Sequence, residues 1–288
     1  MQKPELMKSN IFILTIISFV TLISCKQNGT SVYQKKQITR KQPKVISYSL
    51  VNSKIWLKQN ETDSSKIEIV TAINRTDKSN LSKLDSIVIA SDFDGDVVYY
   101  LPFPLKVDYL KDVSKVLLFS YPTQTFGAYE NGVLTYSGPT NMGRKKDKTP
   151  LGLFFTNWKA KKTISTFDDE WELKWNFNIE NKLGVGFHEY SLPGLPVSHS
   201  CLRLLEKDAK FLYEWADEWI LDDKEELKVK GTPVIVFGNY AYDEPKPWLQ
   251  LVKNPKALDI SISEMEKEVR PFLIPLKVQE KIRLETRR

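Results

Sequence analysis

The chain has 288 residues, 41% of them hydrophobic and 27% charged, so a sizeable core can form and wholesale disorder is excluded. Two cysteines exclude a disulfide scaffold and any four-cysteine zinc module. Forty-two Lys and Arg against 36 Asp and Glu give a net charge of +6, but the basic residues are spread along the chain. With neither a basic stripe nor a known module, no nucleic-acid partner is expected.

Lys3 and Lys8 precede the apolar run Ile11–Ile23, which is too short to span a bilayer comfortably but has signal-peptide length. A second methionine opens a more typical signal at Met7-Lys8-Ser9-Asn10. An ordinary signal peptide with a chance cysteine, or an uncleaved anchor, would also account for the run. Its end, Leu22-Ile23-Ser24-Cys25, resembles the lipobox of bacterial lipoproteins. That resemblance implies a signal peptide over 1–24, lipidation at Cys25 and a membrane partner reached through the lipid anchor. Two or three acyl chains hold durably, at ~0.8 kcal/mol per buried methylene. Lys26 after Cys25 fits sorting to the periplasmic face of the outer membrane, so the expected location is extracytoplasmic.

Residues 25–44 are polar, basic and poor in large apolar side chains, which reads as a flexible tether, with order beginning near Val45. A small N-terminal domain is expected over 45–112. Within it, Ile67–Ala90 reads as a short helix, a loop and a strand, and faintly resembles the second half of a LysM peptidoglycan-binding repeat; a plain packing domain fits as well. Asp92-Phe93-Asp94-Gly95-Asp96 is no calcium loop by count, because the positions that need Gly and Glu hold Val97 and Phe103. A tight acidic turn is expected there, without a metal.

From Lys115 the pattern turns strand-rich. Val116–Tyr121, Thr125–Tyr129, Val133–Ser137, Leu153–Trp158, Leu183–His188 and Pro233–Phe237 are β-branched or aromatic runs, and Asn131-Gly132 makes a hairpin turn. One helix interrupts them at Glu206–Trp219, where Leu212, Trp215, Ala216 and Trp219 share a face. The expected class is mainly β or α+β, a sandwich-like domain over 113–238. A tail over 239–288 follows, with a capped helix at Ser263–Val269 and no assigned role.

The chemistry is concentrated in fourteen residues that contain both histidines, His188 and His199, and Cys201. A thiol nucleophile needs a base and donors for a developing oxyanion. His199 and Cys201 stand two apart, so they share a face only in extended chain, and Pro193, Gly194 and Pro196 keep this stretch out of a helix. The helix that follows is expected to lend its dipole to the thiolate. An inert buried thiol, a satisfied loop histidine, or zinc held by His188, His199 and Cys201 are the competing readings.

Pro196-Val197-Ser198-His199-Ser200-Cys201-Leu202-Arg203 resembles the signature of the L,D-transpeptidase catalytic domain, the YkuD type. Gly186-Phe187-His188, Thr149-Pro150-Leu151-Gly152-Leu153-Phe154, Asn141-Met142-Gly143 and Tyr129-Glu130-Asn131-Gly132 resemble further family segments in the family's order. The resemblance implies a β-sandwich with a helix after the cysteine. It also implies a cofactor-free peptidoglycan enzyme acting on stem peptides. Cys201 would be the nucleophile and His199 its base, with the Ser200 and Cys201 amides as oxyanion hole. His188 and Ser198 would line the substrate site, and Arg203 would shape the loop or bind a carboxylate. Resolution of the acyl-enzyme by an amine gives a 3→3 cross-link, and by water an L,D-carboxypeptidase or endopeptidase. A wall-binding lipoprotein with a degenerate site is the non-enzyme alternative. Ser200 stands where the family pattern has glycine; if φ is positive there, serine costs about 1 kcal/mol. Glu189 is also unusual, and the short His188–His199 spacing implies a small loop over the cleft.

Overall fold

Among the described residues, chain contacts already begin five residues before Val45. In the computed structural model, which describes residues 39–165 and 172–286, Arg40 Nη2 donates to the Leu134 carbonyl. The amides of Lys41 and Lys44 donate to Asp96 Oδ2 at 3.0 Å and Asp92 Oδ2 at 2.8 Å. Asp92 Oδ1 also accepts from Asp94 N at 2.8 Å, so the acidic turn is spent on backbone amides. The signal run and Cys25 lie outside the described residues. Among the described residues, no helix is long and apolar enough to cross a membrane.

The N-terminal part runs β1 (Tyr48–Asn52), α1 (Ser53–Asn60), α2 (Ser64–Ile73), α3 (Lys78–Leu81) and β2 (Ser86–Ala90), with β1 antiparallel to β2. Asn52, Asp63 and Asp77 each cap a helix by accepting an amide from the first turn, worth about 1 kcal/mol apiece. Trp56, Ile67, Val70, Leu81 and Ile87 form a small core. Ile69 and Ile73 point the other way, into the main core with Phe119 and Phe126. Asn74 ties the helix end to the strand, donating to the Val70 and Val88 carbonyls at 2.8 and 2.7 Å and accepting from Val88 N at 2.9 Å.

The remaining strands are β3 (Val116–Ser120), β4 (Thr125–Glu130), β5 (Val133–Asn141), β6 (Gly152–Phe155), β7 (Lys159–Ile164), β8 (Glu172–Glu180), β9 (Val185–Glu189), β10 (Leu202–Leu204), β11 (Ile220–Leu221), β12 (Leu227–Val229) and β13 (Pro233–Phe237). Nine of them form one sheet in the order β6-β13-β3-β4-β5-β10-β9-β8-β7, so the mainly-β, α+β class holds. Only β13–β3 and β10–β9 pair in parallel within it. Leu117 and Phe119 of β3 enter one core while Val116 and Leu118 enter another. A strand covered on both faces reads as a continuous apolar run, as this one does. Helix α4 (Glu206–Trp215) packs Ala209 and Leu212 on the first face.

Residues beyond Gly238 are built into this body. Trp248, in the 3-10 segment Pro247–Val252, is buried in the first core. Helix α5 (Ile262–Val269) starts with a full capping box between Ser261 and Glu264, and α6 (Leu273–Thr286) follows. Their Met265, Val269 and Leu276 cover the second face of β3 and β13, contributing roughly 1.5–3 kcal/mol each.

Candidate active site

The β9–β10 connection is a proline-rich loop, and three segments hold it in place. Thr76 Oγ1 donates to the Leu192 carbonyl at 2.8 Å, and Asp77 Oδ2 accepts from Leu192 N at 2.8 Å. Further on, Asn141 donates to the Leu195 carbonyl and accepts from Val197 N. Ser198 then pairs in parallel with Gly143, flanked by Ser198 N to Met142 O at 3.1 Å and Arg144 N to Ser198 O at 2.9 Å. A β-carbon at Gly143 would meet the Asp147 carbonyl at 2.2 Å, so only glycine fits against the 143–149 turn.

Thr149 joins that turn to the nucleophile loop. Its hydroxyl accepts from Gly143 N at 3.0 Å and donates to the Ser200 carbonyl at 2.8 Å. Ser200 has φ of 83°, so the sequence departure from glycine falls on a left-handed residue. Ser198 borders the cleft, but it is buried and its hydroxyl proton goes to the Cys201 carbonyl at 2.5 Å. It braces the loop, in place of the expected substrate contact.

Cys201 is half-buried and is the free cysteine among the described residues. Burial pushes its thiol above the ordinary value, opposed by an N–H bond from Gly186 and the charge of Arg203. The expected help from a following helix is absent: β10 intervenes and α4 begins only at Glu206, beyond the reach of its first-turn dipole.

The parallel register sets His188 opposite Arg203 and Phe187 opposite Leu202. Gly186 lets β8 and β9 approach, since a β-carbon there would meet the Phe177 carbonyl at 2.7 Å. His188 is 3% exposed, and its Nδ1 lies 2.9 Å from the Glu189 carbonyl. A carbonyl only accepts, so Nδ1 carries the proton and Nε2 presents a lone pair. Burial lowers the His188 pKa to about 4, the Glu189 bond opposing and Arg203 adding. The imidazole is therefore neutral at ordinary pH. Arg203 lays its guanidinium over the Tyr190 ring at 4.4 Å. His199 is more exposed, at the edge of the cleft; burial, then Arg144, lower its pKa, with Asp147 opposing.

His188, Tyr190, His199, Cys201 and Arg203 thus border one narrow cleft holding about 20 Å³ of solvent space, roughly one water. Among the described residues, no three His, Cys, Asp or Glu side chains are grouped to hold a metal. The arrangement offers a thiol, a neutral imidazole with its lone pair free, and a cation. Sequence reasoning missed three supports. Tyr190 follows His188 and carries a visible aromatic signal, whereas Tyr121 and Tyr242 reach the site only through the fold. Both tyrosine hydroxyls bond the Gly143 carbonyl, at 2.6 and 2.7 Å.

Residues 114–236 match the family model described as the L,D-transpeptidase catalytic domain. Among solved structures, the chain is similar to an L,D-transpeptidase from Stackebrandtia nassauensis, with 26% identity over 45% of this chain and 58% of that one, and a TM-score of 0.37. An L,D-transpeptidase from Mycobacterium smegmatis is 21% identical over 44% of this chain and 59% of that one, with a TM-score of 0.35. L,D-transpeptidase 3 from Mycobacterium tuberculosis is 21% identical over 44% and 62%, with a TM-score of 0.34. The chain thus spans less than two thirds of each. No curated protein matches it.

Proposed function

We propose that this chain, whose residues 114–236 belong to the L,D-transpeptidase catalytic-domain family, is a peptidoglycan L,D-transpeptidase that works through Cys201. The observation that carries the reading is the joining of Cys201, His188 and Arg203 in one cleft, with the His188 tautomer fixed by Glu189.

In this reading the Cys201 thiol attacks the carbonyl of the third stem residue, and its proton passes to an imidazole. The C–N bond to the terminal D-alanine breaks, the proton goes to the leaving amine, and a thioester forms on Sγ. An amine from a second stem attacks the thioester, gives up its proton and expels the thiolate, leaving a 3→3 cross-link. The Ser200 and Cys201 amides supply the oxyanion hole. We assign the base to His188, in place of His199 as the sequence suggested. His188 is neutral, buried and oriented with Nε2 bare, and a base needs that lone pair. His199 sits among Arg144, Arg203 and Lys146 with the single carboxylate of Asp147 against them, a net positive setting that suits contact with an anionic stem. Arg203 is placed to bind a substrate carboxylate.

The lipobox-like sequence supports a lipid anchor at Cys25 and an extracytoplasmic location. Cys25→Ala is expected to release the protein from membranes while sparing turnover of soluble substrate; a variant that stays wholly membrane-bound refutes lipidation there. Catalysis is tested with a disaccharide-tetrapeptide and intact-mass detection of an acyl adduct on Cys201. A positioned amine outcompetes bulk water through effective concentration, so cross-linked dimer should rise as acceptor stem is added. Exclusive tripeptide at saturating acceptor makes the protein an L,D-carboxypeptidase, and cleavage of preformed cross-links an endopeptidase. No adduct with sacculus binding retained leaves a wall-binding lipoprotein.

A further inference from the structure

Arg75 is a cation buried to 1% exposure, and its donors can be accounted for one by one. Nε donates to the Thr123 carbonyl at 2.7 Å, and Nη1 to the carbonyls of Ala72 at 2.5 Å and Ile73 at 3.0 Å. A guanidinium has five N–H groups, so the two on Nη2 remain, and no described residue takes them. No carboxylate among the described residues pairs with Arg75, although burying such a charge unpaired costs several kcal/mol. The Trp248 ring lies 5.7 Å from the guanidinium carbon and, with the three carbonyls, fixes its direction.

Arg75 lines a cavity of about 330 Å³ shared by β1, the Tyr99–Pro102 segment and the Leu251–Asp259 segment, near the lower end of small-molecule pockets. Tyr48, from β1, lines it too, and its hydroxyl bonds to no described residue. Ile46, Leu251 and Leu258 supply apolar wall. At the rim Lys44 and Lys256 outnumber Asp259, and burial raises the Asp259 pKa, against Lys256. The cavity shares no lining residue with the Cys201 cleft.

We infer that this cavity is a second binding site, which takes a ligand bearing one carboxylate on a body the size of a sugar or an amino acid. The free N–H groups both sit on Nη2 and give one carboxylate oxygen a charge-assisted hydrogen bond, and the Tyr48 hydroxyl, on the same cavity, offers a donor to the other oxygen. One unpaired buried cation calls for one negative charge, whereas a phosphate dianion would bring a second charge toward Asp259. The carboxylate source is either a sugar acid or a peptide C-terminus, and matched probe pairs separate them.

The test uses the purified full-length chain in detergent, with binding followed by titration calorimetry and ligand-observed NMR. N-acetylmuramic acid is compared with N-acetylglucosamine, and N-acetyl-D-alanine with its amide. The acid of at least one pair should bind at least tenfold more tightly than its neutral partner, and the pair that does so names the source. Tyr48→Phe should weaken that acid about fivefold, and Leu258→Trp, which fills the cavity, should abolish binding. Leu258→Trp leaves the Arg75 bonds intact and decides the matter if Tyr48→Phe does not fold. Acids that bind equally well to both variants occupy another site and overturn the proposal. Equal affinity for acid and neutral probes, no acid binding at all, or tighter binding of inorganic phosphate would each overturn it as well. Failure of Cys201 to form an adduct bears on the catalytic reading alone.

Discussion

Thr149 holds the Ser200 carbonyl at 2.8 Å, and Ser200 is the residue of the nucleophile loop held at φ 83°. A hydroxyl from the neighbouring turn thus fixes the orientation of a strained peptide next to Cys201. Left-handed backbone costs a non-glycine residue about 1–2 kcal/mol, partly offset by the ~0.5–1 kcal/mol of extra chain entropy glycine must lose. Ser200→Gly should therefore keep or slightly raise thermal stability and leave kcat/KM equal or higher. Its own hydroxyl reaches only the Asp147 carbonyl, at 3.4 Å, so little is lost with it. A large fall in kcat/KM would make Ser200 a functional donor.

Thr149→Val removes the bond to Ser200 and leaves the Gly143 amide without its acceptor. Loss of a buried partner costs ~1–3 kcal/mol. The expected outcome is a loss of kcat on the order of tenfold, exceeding any change in KM, because the oxyanion amides lose their setting. Unchanged kcat in a folded variant would place Thr149 outside the catalytic framework.

Much of this was legible in the sequence, for physical reasons that differ by element. The apolar run of β3 and the Asn131-Gly132 hairpin announced themselves locally. Strands β7 and β8 did not: Lys159–Ile164 carries three lysines on an exposed edge, and Trp175, at φ 53°, breaks the alternation of β8. Strand β10 has three residues and exists through its partners β5 and β9, so no local pattern marks it. The cysteine-histidine cluster was visible as composition, but the tautomer of His188 depends on the Glu189 carbonyl lying 2.9 Å from Nδ1, which residue types do not encode. Met265 and Val269 stand four apart on α5, but Leu276 belongs to α6, past the 3-10 turn Arg270–Phe272, so no single helical stripe marks the three as one core face.

Tyr242 lies beyond the matched segment 114–236 yet bonds the Gly143 carbonyl at 2.7 Å, and Asp243 pairs with Lys145 at 2.7 Å. The chain after Gly238 therefore clamps the turn that supports Ser198. Tyr242→Phe should lower kcat several-fold with KM little changed, whereas Asp243→Ala, an exposed pair worth ~0–1 kcal/mol, should have little effect. Equal and small effects from both would reduce Tyr242 to packing.

Asp208 is fully buried, with Oδ1 accepting from Tyr136 at 2.6 Å and Oδ2 unpartnered among the described residues. Burial raises its pKa to about 6, with Lys207 and the Tyr136 bond opposing. The folded state holds this proton between about pH 4 and 6 while the unfolded state releases it. Asp208 therefore makes the protein less stable as pH rises through that window, by roughly 3 kcal/mol at most. Asp208→Asn should raise the midpoint of thermal unfolding at pH 8 more than at pH 5. An equal shift at both pH values would refute the assignment.

His188 and His199 are both pushed below the ordinary imidazole value, so the pH profile and single-residue variants together separate the two candidates for the base. His188 is lowered to about 4 and the Cys201 thiol is raised, so the resting pair is neutral thiol and neutral imidazole. If His188 is the base, kcat/KM stays level as pH falls through 6 and drops only near 4, where Nε2 takes a proton before the thiol can give one. Stability moves in the same range. The unfolded chain protonates this histidine below about 6.5 and the folded one does not, so up to about 3 kcal/mol is lost between pH 6.5 and 4. Rates must therefore be read on protein shown to be folded by circular dichroism. His188→Ala should cost a factor on the order of 10² or more in kcat, non-additive with Cys201→Ala because the two act as a unit. His199→Ala, by contrast, should act mainly through KM, as a residue at the cleft edge among cations. A collapse of kcat in His199→Ala with His188→Gln still active would return the base to His199. Ordinary turnover in Cys201→Ala would remove the thiol mechanism altogether.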